Sequence, residues 1–107
     1  MADESADPFR AIADPTRRRM LELLMDRGSL TVGELAAEFP ELVTSGISKH
    51  LMTLRAAGLV SALKSGRHQH YQIDDDGLNS AFGAWVSRYD AYWATALDKL
   101  RELSEES

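Results

Sequence analysis

The chain has 107 residues, of which 44% are hydrophobic and 27% charged, a composition that suits one folded domain and excludes a disordered chain. The absence of cysteine excludes disulfides, thiolate metal sites, iron–sulfur clusters and cysteine nucleophiles. No apolar run could span a bilayer, the start of the chain is acidic rather than signal-like, and the net charge is −5, so we expect a cytoplasmic protein with no membrane contact.

Two helices are predicted near the N-terminus. Asp7 and Asp14 are good N-cap residues, and each precedes a proline, the residue best tolerated at the first helical position. The first helix must be short, whereas the second is amphipathic and stops at Gly28. The apolar flank of the second helix is predicted to hold Met20, Leu21, Leu24 and Met25.

Two further helices follow. Thr31 and Glu34 have the spacing of a reciprocal capping box and start a helix that ends before a proline. The next helix is predicted over residues 44–57, with Thr44 or Ser45 as its cap. The 3.6-residue period divides it into an apolar face of Ile47, Leu51 and Leu54 and an opposite face of Ser45, Ser48, Lys49 and Met52.

The last part of the chain predicts a β-hairpin and a long helix. Two short extended segments within residues 59–73 are separated by Gly66, which suits the turn. Asp75 or Asp76 then caps a helix whose apolar residues recur in steps of three and four, as in a heptad seam. This seam consists of Leu78, Phe82, Trp85, Tyr89, Trp93, Ala96, Leu100 and Leu103.

The predicted fold is therefore mainly α with a small β-hairpin, in the order α-α-α-α-β-β-α. We treat residues 1–107 as one domain, with a tail at 1–7, helices and hairpin at 8–77, and the long terminal helix at 78–104. Two helices joined by a short turn and followed by a basic hairpin follow the plan of a winged helix-turn-helix.

Charge is distributed unevenly along this plan. Residues 42–73 contain no Asp or Glu, whereas both ends of the chain are acidic. The major groove of DNA accepts one α-helix, and small hydroxyl and cationic side chains suit a helix that lies there. The fourth helix carries such side chains: Thr44, Ser45, Ser48 and Lys49. The hairpin offers three side chains for phosphates or an adjoining minor groove: Lys64, Arg67 and His68.

Two further polar residues admit alternative interpretations. His50, next to Lys49, either contacts a base or makes a structural hydrogen bond. Arg17, the first of three consecutive arginines, either reaches a backbone phosphate or belongs to a solvated helix face.

Residues 8–103 resemble the ArsR-type winged helix-turn-helix repressors of bacteria and archaea. The segments that carry the resemblance are ADPTRRRMLELL (13–24), LTVGELAAEFP (30–40), ISKHLMTLRAAGLV (47–60) and SGRHQHYQI (65–73). The resemblance implies that the helix from Thr44 reads the major groove of double-stranded DNA, that the hairpin is the wing, and that the first and last helices build a homodimer. Its dimerisation residues would be Phe9, Phe82, Trp85, Tyr89, Trp93 and Leu100.

The last helix holds five of the eight aromatic residues, more than a domain of this size easily buries, so a partner surface is expected. Alternatively, the rings pack on the protein's own helices or line an apolar ligand pocket between terminal helices. The sequence shows no polar anchor for such a ligand and identifies no small-molecule effector.

Metal sensing is known in the family, so the corresponding positions matter. Where metal-responsive members often carry a cysteine pair, this chain reads TVGELAAEF, which holds no Cys or His. Other members use Asp and His ligands on the last helix, whereas no histidine follows His70 in this chain. We therefore predict no metal and no other cofactor. His68 and His70 nevertheless form a His-x-His pair that could chelate a transition metal, which leaves a metal-responsive repressor as an alternative.

The sequence thus predicts a DNA-binding transcriptional regulator that acts as a homodimeric repressor on a palindromic promoter operator. No nucleophile elbow, phosphate loop or metal-ligand cluster indicates an enzyme. A winged helix used only for protein–protein association is a further alternative, which the acidic net charge permits.

Overall fold

The computed structural model describes residues 7–105, so the predicted tail at 1–7 lies outside the described residues except for Asp7. The predicted order of helices and hairpin is confirmed, with one added strand after the second helix. In chain order the elements are α1 (Pro8–Ala11), α2 (Pro15–Arg27), β1 (Ser29–Thr31), α3 (Val32–Ala37), α4 (Thr44–Ala56), β2 (Val60–Ser65), β3 (His68–Ile73) and α5 (Asp75–Glu105).

Local capping determines where α1 and α2 begin, as predicted. Oδ1 of Asp7 accepts a hydrogen bond from the N–H of Phe9 at 2.9 Å. Oδ1 of Asp14 accepts from the N–H groups of Thr16 and Arg17 at 2.8 and 3.1 Å. Because the first four N–H groups of a helix have no partner within it, these carboxylates satisfy donors that would otherwise be unpaired.

The predicted capping box starts α3. Oγ1 of Thr31 accepts from the N–H of Glu34 at 3.1 Å, and Oε1 of Glu34 accepts from the N–H of Thr31 at 3.0 Å. The backbone and then the hydroxyl of Thr31 hold the pKa of Glu34 below its ordinary value. The carboxylate of the box therefore stays charged until the pH falls through that lowered pKa.

The short strand β1 is absent from the predicted fold. It pairs antiparallel with β3, with Leu30 opposite Tyr71, and gives a three-stranded sheet in the order β1-β3-β2. Three residues are too few to show an alternating pattern, so β1 owes its extended form to pairing with a strand distant in sequence. The predicted turn is confirmed, because Gly66 has φ +63° at the tip of the β2–β3 hairpin.

One hydrophobic core joins α2, α3, α4 and the sheet. On α2 the prediction is partly wrong: Leu23 is buried, whereas Met25 is 56% exposed. Met25 faces a groove that α2 forms with α5, and α5 covers that groove only in part. The largest fully buried side chains are Met20, Leu24, Leu35, Ile47, Leu51, Leu54, Leu59 and Val60.

The cap of α5 is Asp74, not Asp75 or Asp76. Oδ1 of Asp74 accepts from the N–H of Gly77 at 2.9 Å. The N–H of Asp74 in turn donates to the carbonyl oxygen of Leu59 at 3.0 Å. Leu59 is buried in the connection between α4 and β2, and this bond to it selects one of three consecutive aspartates, a choice that the local pattern leaves open.

Most of α5 extends away from the rest of the domain. It packs against the core through Leu78, Ala81 and Phe82 near its start, and none of its residues is buried. The helix begins before and ends after the predicted range of 78–104, and the longest dimension of the protein is 64 Å. Within residues 7–105, no helix combines the length and the apolar character needed to cross a membrane.

A close approach between α5 and the turn after α4 predicts a sensitive glycine. A Cβ at Gly77 would lie 1.8 Å from the carbonyl oxygen of Gly58, whose backbone has φ +79°. Gly77→Ala must therefore displace the start of α5, and we expect the free energy of unfolding to fall by about 1–3 kcal/mol, as for an overpacked core. Urea unfolding followed by circular dichroism measures this loss.

Gly33→Ala in α3 is the matched control. The nearest atom to a Cβ at Gly33 is Oγ1 of Thr31 at 3.9 Å, an ordinary contact. Equal losses of stability in the two variants would contradict a clash at Gly77.

Candidate nucleic-acid interface

The fourth helix presents the two faces that its sequence predicts. Ile47, Leu51 and Leu54 are fully buried against the core. The opposite face holds four exposed side chains and one half-buried hydroxyl: Thr44, Ser45, Lys49, Met52 and Ser48. Burial of the first face fixes the direction in which the second one points.

The start of α4 differs from the prediction. Val43 is the N-cap, its backbone is extended at φ −77° and ψ 155°, and no side chain caps the helix. The carbonyl oxygen of Val43 accepts from the N–H groups of Gly46 and Ile47 at 2.9 and 3.2 Å, so the first turn closes one residue earlier than expected. Thr44 and Ser45 are therefore the first helical residues, and their side chains lie on the surface.

Arg17 does not lie on this surface. Its side chain is only 19% exposed, and Nη1 lies 3.8 Å from Oδ2 of Asp14. Nε donates to the carbonyl oxygen of Ala11 at 2.7 Å, and Nη2 donates to that of Arg10 at 3.2 Å. The prediction that Arg17 contacts a phosphate is corrected, because the carbonyl groups at the end of α1 occupy its donors.

His50 also faces the interior of the protein. It is half-buried, and its Nδ1 lies 3.4 Å from Nη1 of Arg17. An imidazole nitrogen in that position acts as the acceptor of the guanidinium proton. Of the two interpretations, the geometry favours a structural hydrogen bond that ties α4 to α2 and α1 over a base contact.

The same network lowers the pKa of Asp14. Burial of the carboxyl group acts in the opposite direction, but hydrogen bonds from the N–H groups of Arg17 and Thr16 and the charge of the Arg17 guanidinium outweigh it. Because the folded-state pKa lies below the ordinary 3.8, this contribution to stability is present above that pH and is lost as the pH falls through the lowered pKa.

Arg17→Met is expected to destabilise the fold. It removes the side-chain donor to the carbonyl oxygens of Ala11 and Arg10 and the positive charge beside the carboxylate of Asp14, so we expect a loss of about 1–3 kcal/mol in the free energy of unfolding. Urea unfolding at pH 7 measures the loss. Arg19→Met removes the same charge from an exposed position on α2 and is the control. An Arg17 variant as stable as this control would show that the network does not hold α1.

The wing carries three exposed polar side chains at or near its tip: Lys64, Arg67 and His68. The backbone of Gly66 allows the tight turn that brings both strands to this tip. Lys64 lies opposite Gln69, and Ser65 lies opposite His68. No carboxylate is present in residues 42–73, so the cations of the hairpin face no acid from α4 or from the wing itself.

Lys49, Lys64 and Arg67 are exposed cations of one acid-free stretch. Over residues 7–105, the ion pairs of the protein involve other arginines, namely Arg10, Arg17 and Arg27. The helix face and the hairpin tip therefore carry positive charge that carboxylates do not neutralise. Binding of a polyanion requires such a surface.

The wing histidines share one face of the sheet. His68 and His70 are two residues apart on β3 and lie opposite Ser65 and Leu63 of β2. In the described part of the chain, no group of three or more His, Cys, Asp or Glu side chains could hold a metal ion.

The predicted dimerisation residues lie along one side of α1 and α5. The ring centroids of Phe9 and Phe82 are 5.0 Å apart in an edge-to-face arrangement. Trp85 stacks on Tyr89 at 5.4 Å, and Tyr89 meets Trp93 edge to face at 5.9 Å. These contacts are partial, because Trp85, Tyr89, Trp93 and Leu100 all remain exposed.

A groove of about 800 Å³ continues this aromatic surface between α1, α2 and α5. Its apolar lining residues include Phe9, Ile12, Leu21, Met25, Phe82 and Trp85. The groove and the exposed rings of α5 together form one apolar surface of a kind that monomeric proteins rarely expose.

Known proteins are similar to this chain in sequence and in fold. Residues 14–62 match the model of a family described as bacterial regulatory protein, arsR family. The HTH-type transcriptional regulator CmtR of Mycobacterium tuberculosis is 46% identical over 77 residues, which is 72% of this chain and 64% of that protein, so the match spans under two thirds of CmtR. The transcriptional repressor SdpR of Bacillus subtilis is 33% identical over 76% of this chain and 87% of its own length.

A solved structure is similar over nearly the whole chain. The crystal structure of a possible transcriptional regulator for arsenical resistance has a TM-score of 0.67 and 41% sequence identity, covering 88% of this chain and 92% of that one. The similarity therefore includes the wing and much of α5, beyond the residues that the family model matches.

Proposed function

Because the chain belongs to the ArsR family of bacterial regulatory proteins, we propose that it is a DNA-binding transcriptional regulator that places α4 in the major groove of an operator. The observation that carries the proposal is the group of exposed cations Lys49, Lys64 and Arg67 on α4 and the wing, within a stretch that has no acid. The family is one of regulators, not of enzymes.

In this arrangement α4 and the wing have different tasks. Ser45, Ser48 and Lys49 on α4 face the base edges, where hydroxyl and ammonium groups read donors and acceptors. Lys64, Arg67 and His68 on the hairpin contact phosphates beside the groove, which position the protein without specifying sequence. The protein would act in the cytoplasm, where the operator is.

Repression is the regulatory mode that we propose. The similar protein SdpR is named a transcriptional repressor. A protein that occupies a promoter operator excludes polymerase by volume alone and needs no catalytic group. No small-molecule effector is assigned.

We further propose a homodimer built by α1 and α5. The α5 surface of one protomer is apolar, exposed and continuous with the groove beside Phe9 and Met25, and the same surface on a second copy would cover it. Two-fold symmetry would then place two α4 helices about 34 Å apart, in successive major grooves, so the operator would be an imperfect palindrome.

Selection from a library of random DNA duplexes tests the proposal. The full chain should enrich a two-fold symmetric sequence, and its affinity should fall steeply with salt because bound cations release counterions. A winged helix used only for protein–protein association would enrich no sequence and would show no linkage to salt. That result would refute DNA binding.

Arg67→Ala isolates the wing contact. The variant should bind all duplexes more weakly by a similar factor, and the slope of log affinity against log salt should fall by about one, as expected for one phosphate contact. Arg101→Ala removes an equal charge from α5 and is the control. Equal salt slopes for Arg67→Ala and the parent protein would remove Arg67 from the interface.

A further inference from the structure

Met52 is an apolar side chain at the centre of a polar face. It is 67% exposed, one of the most exposed large hydrophobic residues within residues 7–105. Most of the other exposed ones lie on α1, α2 and α5, where a second copy would cover them. Met52 lies on α4 instead, so the proposed dimer does not account for its exposure.

The neighbours of Met52 on α4 are the residues assigned to DNA. Ser48 and Lys49 precede it by four and three residues, so all three side chains share one side of the helix. The next residues on that side are Arg55 and Ala56, which are both exposed. The thioether of Met52 is exposed and lies about one helical turn beyond Lys49 along the proposed groove.

We propose that Met52 reads the C5-methyl group of a thymine, and so specifies an A·T pair at one position of each half-site. The proposal rests on the proposed DNA-binding function. In the major groove each base pair presents donors and acceptors, and the thymine methyl is the one apolar group among them. A methionine side chain carries no strong donor or acceptor, and its flexible, polarisable thioether adapts to an apolar contact of this size.

Charge favours DNA over a protein as the occupant of this surface. Met52 lies within a stretch of thirty-two residues, 42–73, that has no Asp or Glu, and its neighbour Lys49 has no carboxylate partner among residues 7–105. An apolar protein partner would require a contiguous apolar patch. The neighbours of Met52 on α4 are instead one hydroxyl, two cations and one small alanine: Ser48, Lys49, Arg55 and Ala56.

Replacing thymidine by deoxyuridine tests the contact because it removes only the methyl group. The probe is the duplex that the wild-type protein selects from a random library, with each thymidine replaced in turn. We expect one replacement in each half-site to weaken wild-type binding about fourfold, the effect of losing one buried methyl group. Met52→Ala should bind that duplex and its thymidine form equally well, and its own selected sequence should lose the A·T preference at that position.

Two more variants keep the test decisive. Met52→Leu retains an apolar side chain and should still bind the deoxyuridine duplex more weakly than its thymidine form. Met52→Gln retains the length of the side chain but not its apolar character and should bind both duplexes equally well. If every deoxyuridine duplex binds the wild type as tightly as its thymidine form, or if Met52→Ala and Met52→Gln keep the discrimination, the inference is overturned. Failure of the wild type to select any sequence would instead overturn the proposed function.

Discussion

We expect Trp93→Ala to separate the proposed dimer and to lower affinity for a palindromic operator by a factor of about 100 or more. Trp93 lies on α5, away from the wing and α4, so its effect on DNA binding would be indirect. Its ring meets Tyr89 and Tyr92 edge to face at 5.9 and 6.2 Å and is still 44% exposed. Truncation of an aromatic residue at the centre of an interface costs about 2–4 kcal/mol.

The loss of DNA affinity follows from linkage between two half-sites. In a dimer, binding of one α4 helix brings the second to its half-site at a high effective concentration, and a monomer loses that advantage without losing any direct contact. Tyr89→Ala should act in the same way, because Tyr89 stacks on Trp85 and meets Trp93 edge to face.

Sedimentation at micromolar concentration, together with titration of the selected duplex, measures both effects. Thr95→Ala is the matched control: Thr95 is exposed, is two residues from Trp93 and lies on the other side of α5, where its hydroxyl donates to the carbonyl oxygen of Ala91 at 3.2 Å. A parent protein that sediments as the 11.9 kDa chain and still binds a palindrome with full affinity would contradict the dimer.

Features fixed within one turn of the chain could be predicted from the sequence. The starts of α1, α2 and α3 are confirmed because a cap and the N–H groups that it satisfies lie within three residues of each other. The two faces of α4 are confirmed because the apolar period is local as well. The family resemblance depends on the same features in the same order.

Features decided by distant contacts could not be predicted in the same way. Both β1 and the cap of α5 depend on a hydrogen-bonding partner from another element, β3 in one case and Leu59 in the other. The helical period places Arg17 on the outer flank of α2, which favours a phosphate contact or a solvated helix face, whereas its long side chain turns back to the carbonyl groups of α1. The exposure of Met25 likewise depends on how little of α2 is covered by α5.

We expect Lys49→Ala to weaken binding to the selected operator by about 1–3 kcal/mol and to broaden the base preference at one position of each half-site. Lys49 is exposed on the outer face of α4, its backbone carbonyl oxygen accepts from the hydroxyl of Thr53 at 3.2 Å, and its ammonium group forms no ion pair among residues 7–105. An unpaired ammonium group on the face assigned to the major groove can donate to the acceptors of a guanine.

The expected change differs from that of a phosphate contact. Loss of a base contact lowers affinity for the operator more than affinity for a shuffled duplex of equal length, whereas loss of a phosphate contact lowers both by a similar factor. Titrations of both duplexes at one salt concentration separate the two cases. Lys99→Ala on α5 removes an equal charge and should leave the ratio of the two affinities unchanged. If Lys49→Ala also leaves this ratio unchanged, Lys49 does not read a base, and if operator affinity is unchanged as well, Lys49 lies outside the interface.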